Sequence, residues 1–203
     1  MREFDRRNSP DLYGQFHLNY ENTGVSLLKT QKLAKAVGFL WRRPPSVVFF
    51  DRHYVLKTPG IDNIKFKGGY KKVNLDFVKD LKNVGWTGYL ISNGFEVRED
   101  PVANELSPNV FSPGQPWNWR PSNFKKDPIC VQRVVGRILE NGDLEKINKN
   151  GLYGIGDMWT DFESFKMQKE MLEERTGRRV MSTFIKLPDP PYANWPKAGE
   201  WYG

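Results

Sequence analysis

The chain has 203 residues, 38% of them hydrophobic and 14% aromatic, and a formal net charge of +7, which suits one compact domain with extensions or two very small ones. Its single cysteine, Cys130, excludes an internal disulfide scaffold, and no apolar run approaches the roughly 18–20 residues that cross a bilayer. The basic residues pair as Arg42-Arg43, Lys71-Lys72, Lys125-Lys126 and Arg178-Arg179 without forming dense runs, so the excess favours acidic proteins, anionic lipid or RNA without choosing among them, and gives no reason to expect DNA.

Residues 1–22 read as an extended N-terminal arm, with Phe4, Tyr13, Phe16 and Tyr20 spaced without a period. Its start lacks a signal-peptide apolar region; the arginines hint at a retained mitochondrial presequence, against which Glu3 and Asp5 argue. A body over 23–100 opens with a helix from Thr23 to Trp41, with Leu28, Leu33, Val37 and Leu40 on its apolar face. Lys29, Lys32 and Lys35 form a basic face of that helix, which Arg42-Arg43-Pro44-Pro45 ends. Val47–Phe50 and His53–Leu56 read as strands. Alternation on either side of Gly68-Gly69, continuing through Tyr70 to Val73, predicts a hairpin. Asn74 caps a helix carrying Phe77, Val78, Leu81 and Val84, stopped by Gly85. Trp86–Ile91 and Phe95–Arg98 then flank Asn93-Gly94 as a second hairpin.

The stretch 101–127 is irregular and rich in Pro and Trp. A helical part over 128–186 begins at Asp127-Pro128, with Cys130, Val131, Val134, Val135, Ile138 and Leu139 on one face. Asp157 caps a last helix with Met158, Phe162, Phe165 and Leu172 inward, and Arg179–Lys186 reads as a strand. Residues 187–203 form an extended docking tail with four prolines. The fold class expected is α+β, a small mixed domain of helices and short antiparallel hairpins with extended Pro/aromatic arms.

No residue set for catalysis stands out. His17, His53 and Cys130 do not make a zinc site, and no Gly-x-Ser-x-Gly elbow occurs. Gly151-Leu-Tyr-Gly154-Ile-Gly156 has the wrong glycine order for a dinucleotide loop, and Asp157 after it would repel phosphate, so the segment reads as a flexible turn. Asp161, Glu163, Glu170, Glu173 and Glu174 alternate with Lys166, Lys169 and Arg175 as a solvated ion-pairing face does. The expectation is therefore no catalytic residue, no cofactor and no metal.

Two features point to binding. Lys29, Lys32, Lys35, Arg42 and Arg43 suit an anionic membrane or an rRNA backbone. Trp117, Trp119, Tyr192, Trp195, Trp201 and Tyr202 lie in the two Pro-rich segments and suit docking to protein partners. Together these favour a non-catalytic accessory subunit of a large mitochondrial membrane complex, of the respiratory chain or ATP synthase, peripheral to the inner membrane and clamping its neighbours. The alternatives are an organellar ribosomal protein on rRNA, and a small enzyme binding a phosphate-bearing ligand.

Overall fold

A computed structural model describes residues 24–51, 55–56, 71–91 and 128–188. The N-terminal arm, the hairpin tip at Gly68-Gly69, the arm Phe95–Arg98, the segment 101–127 and the tail beyond Pro188 lie outside the described residues.

Among the described residues nine elements follow in chain order: α1 (Val25–Trp41), β1 (Val47–Asp51), α2 (Lys72–Asn83), β2 (Thr87–Ile91), α3 (Pro128–Glu140), α4 (Leu144–Asn150), β3 (Leu152–Gly156), α5 (Trp159–Thr176) and β4 (Ser182–Lys186). Helices and strands are mixed, as expected, but the sheet is parallel throughout and not built from antiparallel hairpins. Its order is β2-β1-β3-β4, with Val47 opposite both Thr87 and Leu152, and Leu152 opposite Ser182. The parallel arrangement has a signature in the strands themselves. Every residue of Val47-Val-Phe-Phe-Asp51 is buried, as is every residue of β3, because helices cover both faces of the sheet. A hairpin strand with one wet face would alternate instead.

On one face α1 and α2 pack Leu33, Val37, Leu40, Val78 and Leu81 against Val48, Phe50, Tyr153 and Ile155. On the other, α3 and α5 pack Val134, Val135, Ile138, Phe165 and Leu172 against Val47, Phe49, Tyr89 and Leu152. In α1 the inward positions Leu33, Ala36, Val37 and Leu40 recur at helical spacing, while Leu28 stays 44% exposed. Gly177, with φ 64, takes the left-handed conformation that ends α5 and accepts no strain-free side chain.

Several local expectations are corrected. Lys72 and Val73 open α2 and are not part of a hairpin strand, so Asn74 lies inside the helix, where its buried amide donates to the Val55 carbonyl at 2.6 Å. Val55 and Leu56 form a turn, buried in the core, instead of a strand. Gly151–Gly156 is not a flexible turn: Leu152–Gly156 is a central strand. Its glycines serve close packing. A Cβ on Gly154 would lie 2.8 Å from the Phe165 ring and 2.9 Å from Phe184.

Polar contacts tie α4 to the opposite, N-terminal end of the strands. Ser46 Oγ donates to the Gly151 carbonyl at 2.5 Å, and Tyr89 Oη donates to Asp143 Oδ2 at 2.9 Å. Thr87 Oγ1 donates to Asp143 Oδ1 at 3.0 Å, and Lys146 Nζ reaches the same oxygen at 3.1 Å. Burial pushes the Tyr89 phenol well above its ordinary pKa, with the neighbouring Asp143 charge acting in the same direction.

Candidate metal centre

The order β2-β1-β3-β4 places a switch point between β1 and β3. After β1 the chain leaves through α2 for β2 on one side; after β3 it leaves through α5 for β4 on the other. The two connections diverge, so a crevice opens at the C-terminal ends of these neighbouring strands, where open parallel sheets bind ligands.

Three aspartates meet there. Asp51 is the last residue of β1, Asp157 directly follows β3, and Asp161 sits in the first turn of α5. They are 6%, 1% and 7% exposed, and one carboxylate oxygen from each lies within 4.8 Å of the other two. Asp161 is aimed by the backbone: its Oδ2 accepts the N–H of Asp157 at 3.0 Å and that of Met158 at 2.9 Å. This return bond is half of a capping box, and it fixes the entry to α5. Gly156 makes room for it, since a Cβ there would stand 2.6 Å from both Cβ and Oδ2 of Asp161.

Lysines reach Asp157 from two elements. The chain rises through β1 after descending through α1, so the first turns of α1 reach the carboxylate end of the sheet. From there Lys29 extends inward, 1% exposed, and its Nζ donates to Asp157 Oδ2 at 2.5 Å. Lys186, the last residue of β4, donates from Nζ to the Asp157 carbonyl at 2.5 Å and to the Leu187 carbonyl at 2.9 Å. Lys71, just before α2, hydrogen-bonds Ser26 at the start of α1. Burial holds the Lys29 ammonium below the usual lysine range. Asp157 and Asp51 oppose that shift, and the charge on Lys186 adds to it.

Beside the aspartates a cavity of about 20 Å³ has Asp51, Asp161 and Ser164 as its polar wall and Phe49, Ile91, Ile155, Phe165 and Phe184 as its apolar one. It holds about one water molecule or small ion. Three carboxylates with no imidazole or thiolate beside them among the described residues form a hard-oxygen donor set, of the kind that suits magnesium, manganese or calcium. Lys29 and Lys186 offset part of the charge of the three aspartates, and it is the oxygen donors, not a charge balance, that suit a divalent cation.

The basic and aromatic sites expected from the sequence fare differently. Lys32, Lys35, Arg42 and Arg43 are exposed, and the two arginines sit just past the end of α1, remote from the aspartates. Lys29 does not belong to that basic face, because its ammonium is buried on Asp157. Trp117, Trp119, Tyr192, Trp195, Trp201 and Tyr202 lie outside the described residues. On α5 the pairs Lys166–Glu170 and Lys169–Glu173 are surface ion pairs at 3.6 and 2.7 Å, as expected, but Asp161 is buried and does not share their solvated face. The signals for the aspartates were an apolar strand run ending in Asp51, and a glycine-rich strand followed by Asp157 and, four residues on, Asp161. No protein-family model matches this chain, and no curated protein matches it either.

Proposed function

We propose that the chain is a divalent-cation-dependent hydrolase of phosphate monoesters, working at Asp51, Asp157 and Asp161. The observation that carries this reading is the convergence of three buried carboxylates, within 4.8 Å of one another, at the switch point of a parallel sheet. Two ammonium groups and the N-terminus of α5 stand at the same end, and each favours an anionic ligand. Carboxylates alone would suit a cation. Carboxylates with lysines suit a cation and a phosphate together.

The residues divide by how they are held. Asp161 is held by two backbone N–H groups and Asp157 directly follows the central strand β3, so both stand in place to hold the cation. When bound, the cation would neutralise charge on the phosphoryl oxygens. Asp51 ends a rigid strand and lines the cavity, and it supplies the nucleophile. One Asp51 oxygen forms a bond to phosphorus as the ester oxygen leaves with its electron pair and takes a proton from solvent water. Water then adds to the acyl phosphate, releasing inorganic phosphate and restoring the carboxylate. Lys29 and Lys186 stabilise charge on the phosphoryl oxygens through both steps.

The test is hydrolysis of p-nitrophenyl phosphate and of a panel of sugar and nucleoside monophosphates, with magnesium and with chelator. Activity should require the cation, and Asp51→Asn should lower kcat by at least about 10³-fold while the melting temperature changes little. Turnover untouched by chelator and by Asp51→Asn would dismiss the reading.

A second reading keeps the protein as an accessory subunit of a mitochondrial membrane complex, or an organellar ribosomal protein. The exposure of Lys32, Lys35, Arg42 and Arg43 along and after α1 favours an anionic partner of either kind. Sedimentation with cardiolipin vesicles and with structured RNA, each across a salt series, separates the two. The double change Lys32→Glu, Lys35→Glu should weaken whichever is real.

A further inference from the structure

The phosphohydrolase reading leaves one buried group with two possible partners. A lysine almost never buries its ammonium unless it is paired, and Lys29 is 1% exposed with its Nζ 2.5 Å from Asp157 Oδ2. That oxygen belongs to a carboxylate that the cation would also use. Two cations on one buried carboxylate repel each other strongly at low dielectric. Lys186 adds a further positive charge that acts on Lys29.

We propose that Lys29 is a built-in competitor of the divalent cation, and that phosphate releases the competition by giving the ammonium another anion to pair with. This rests on the reading of the three aspartates as a cation site. Without phosphate, Lys29 satisfies Asp157 and holds cation affinity down. A phosphoryl group at the crevice accepts from the Lys29 ammonium and so frees Asp157 for the cation. Cation and phosphate therefore bind with positive coupling, and by linkage each raises the other's affinity by the same factor. The consequence is an empty site that stays closed to cations until substrate arrives.

Two features of the fold permit this. Lys29 lies about one turn into α1, so its long side chain, and not the backbone, sets where the charge rests. Asp161 is held by two backbone donors, which keep its carboxylate in place whatever Lys29 pairs with.

The experiment measures manganese binding by electron paramagnetic resonance of the free ion, on the full chain, with and without inorganic phosphate. For the wild type, phosphate should tighten manganese binding at least about tenfold. Lys29→Met should bind manganese without phosphate at least about tenfold more tightly than the wild type, and phosphate should then tighten it little. Lys29→Gln keeps a donor on Asp157 without the charge and should behave like Lys29→Met. It serves if the methionine variant fails to fold, and the wild-type phosphate series needs no variant at all. Manganese bound by the wild type and lost in Asp157→Asn, but with no gain in either Lys29 variant and no effect of phosphate, would overturn the competition and leave the cation site standing. No manganese bound by any form would overturn the cation site, and the competition with it.

Discussion

Gly156 shows how one residue can decide whether the site exists. Its missing side chain lets the Asp161 carboxylate lie against the end of β3, where a Cβ would intrude to 2.6 Å. Gly156→Ala must push α5 outward. It should cost about 1–3 kcal/mol in urea unfolding and abolish any rise in melting temperature with magnesium. Tyr89 makes a different point, because its phenol is buried against Asp143 and Asn141 far from the aspartates. The unfolded phenol ionises near pH 10, whereas the folded one keeps its proton to higher pH. Above pH 10 the folded state therefore binds more protons than the unfolded, and stability falls as pH rises. Tyr89→Phe loses a hydrogen bond at neutral pH, worth about 1 kcal/mol, but its melting temperature should decline less than the wild type's between pH 9.5 and 11. Parallel pH profiles for the two proteins would show that Tyr89 is not the group responsible.

At the scale of the element, helical periodicity located α1, α2, α3 and α5, and it partly located their faces. Leu33 and Leu28 separate what periodicity can and cannot say, since both were read as inward, yet Leu33 is fully buried and Leu28 is 44% exposed. Leu33→Ala should cost about 2–5 kcal/mol and Leu28→Ala no more than about 0.5 kcal/mol, compared by chemical denaturation. The strands were harder. Val47–Phe50, Trp86–Ile91 and Arg179–Lys186 were found as strands, but their partners were not, because a short apolar run carries no mark of the strand beside it. Leu152–Gly156 was missed because its glycines were taken as a turn, whereas they serve the close approach of Phe165 and Asp161. The C-terminal boundary also moves. Leu187 is 2% exposed and its N–H bonds the Gly156 carbonyl at 2.8 Å, so it belongs to the core and not to a docking tail. Leu187→Ala should lower the unfolding free energy by about 2–4 kcal/mol, and a truncation meant to probe the tail should spare it.

For the molecule as a whole, the basic excess and the acidic centre are separate properties. Lys32, Lys35, Arg42 and Arg43 face water, while the aspartates lie at the far end of β1 from the two arginines. Under the proposed phosphohydrolase activity, charge reversal at Lys32 and Lys35 should therefore leave turnover within about twofold of wild type, even where it weakens association with vesicles or RNA. By itself the sequence determined four of the five helices among the described residues, three of their four strands, the surface ion pairs of α5 and the exposed basic residues, since each depends on neighbours a few positions away. Only the tertiary structure decided that the strands run parallel, that Lys29 turns inward, and that Asp51 meets Asp157 and Asp161 more than a hundred residues along the chain. The reason is physical: periodicity records which side of an element avoids water. It does not record which strand lies beside which, and it is that pairing which brings the three carboxylates together.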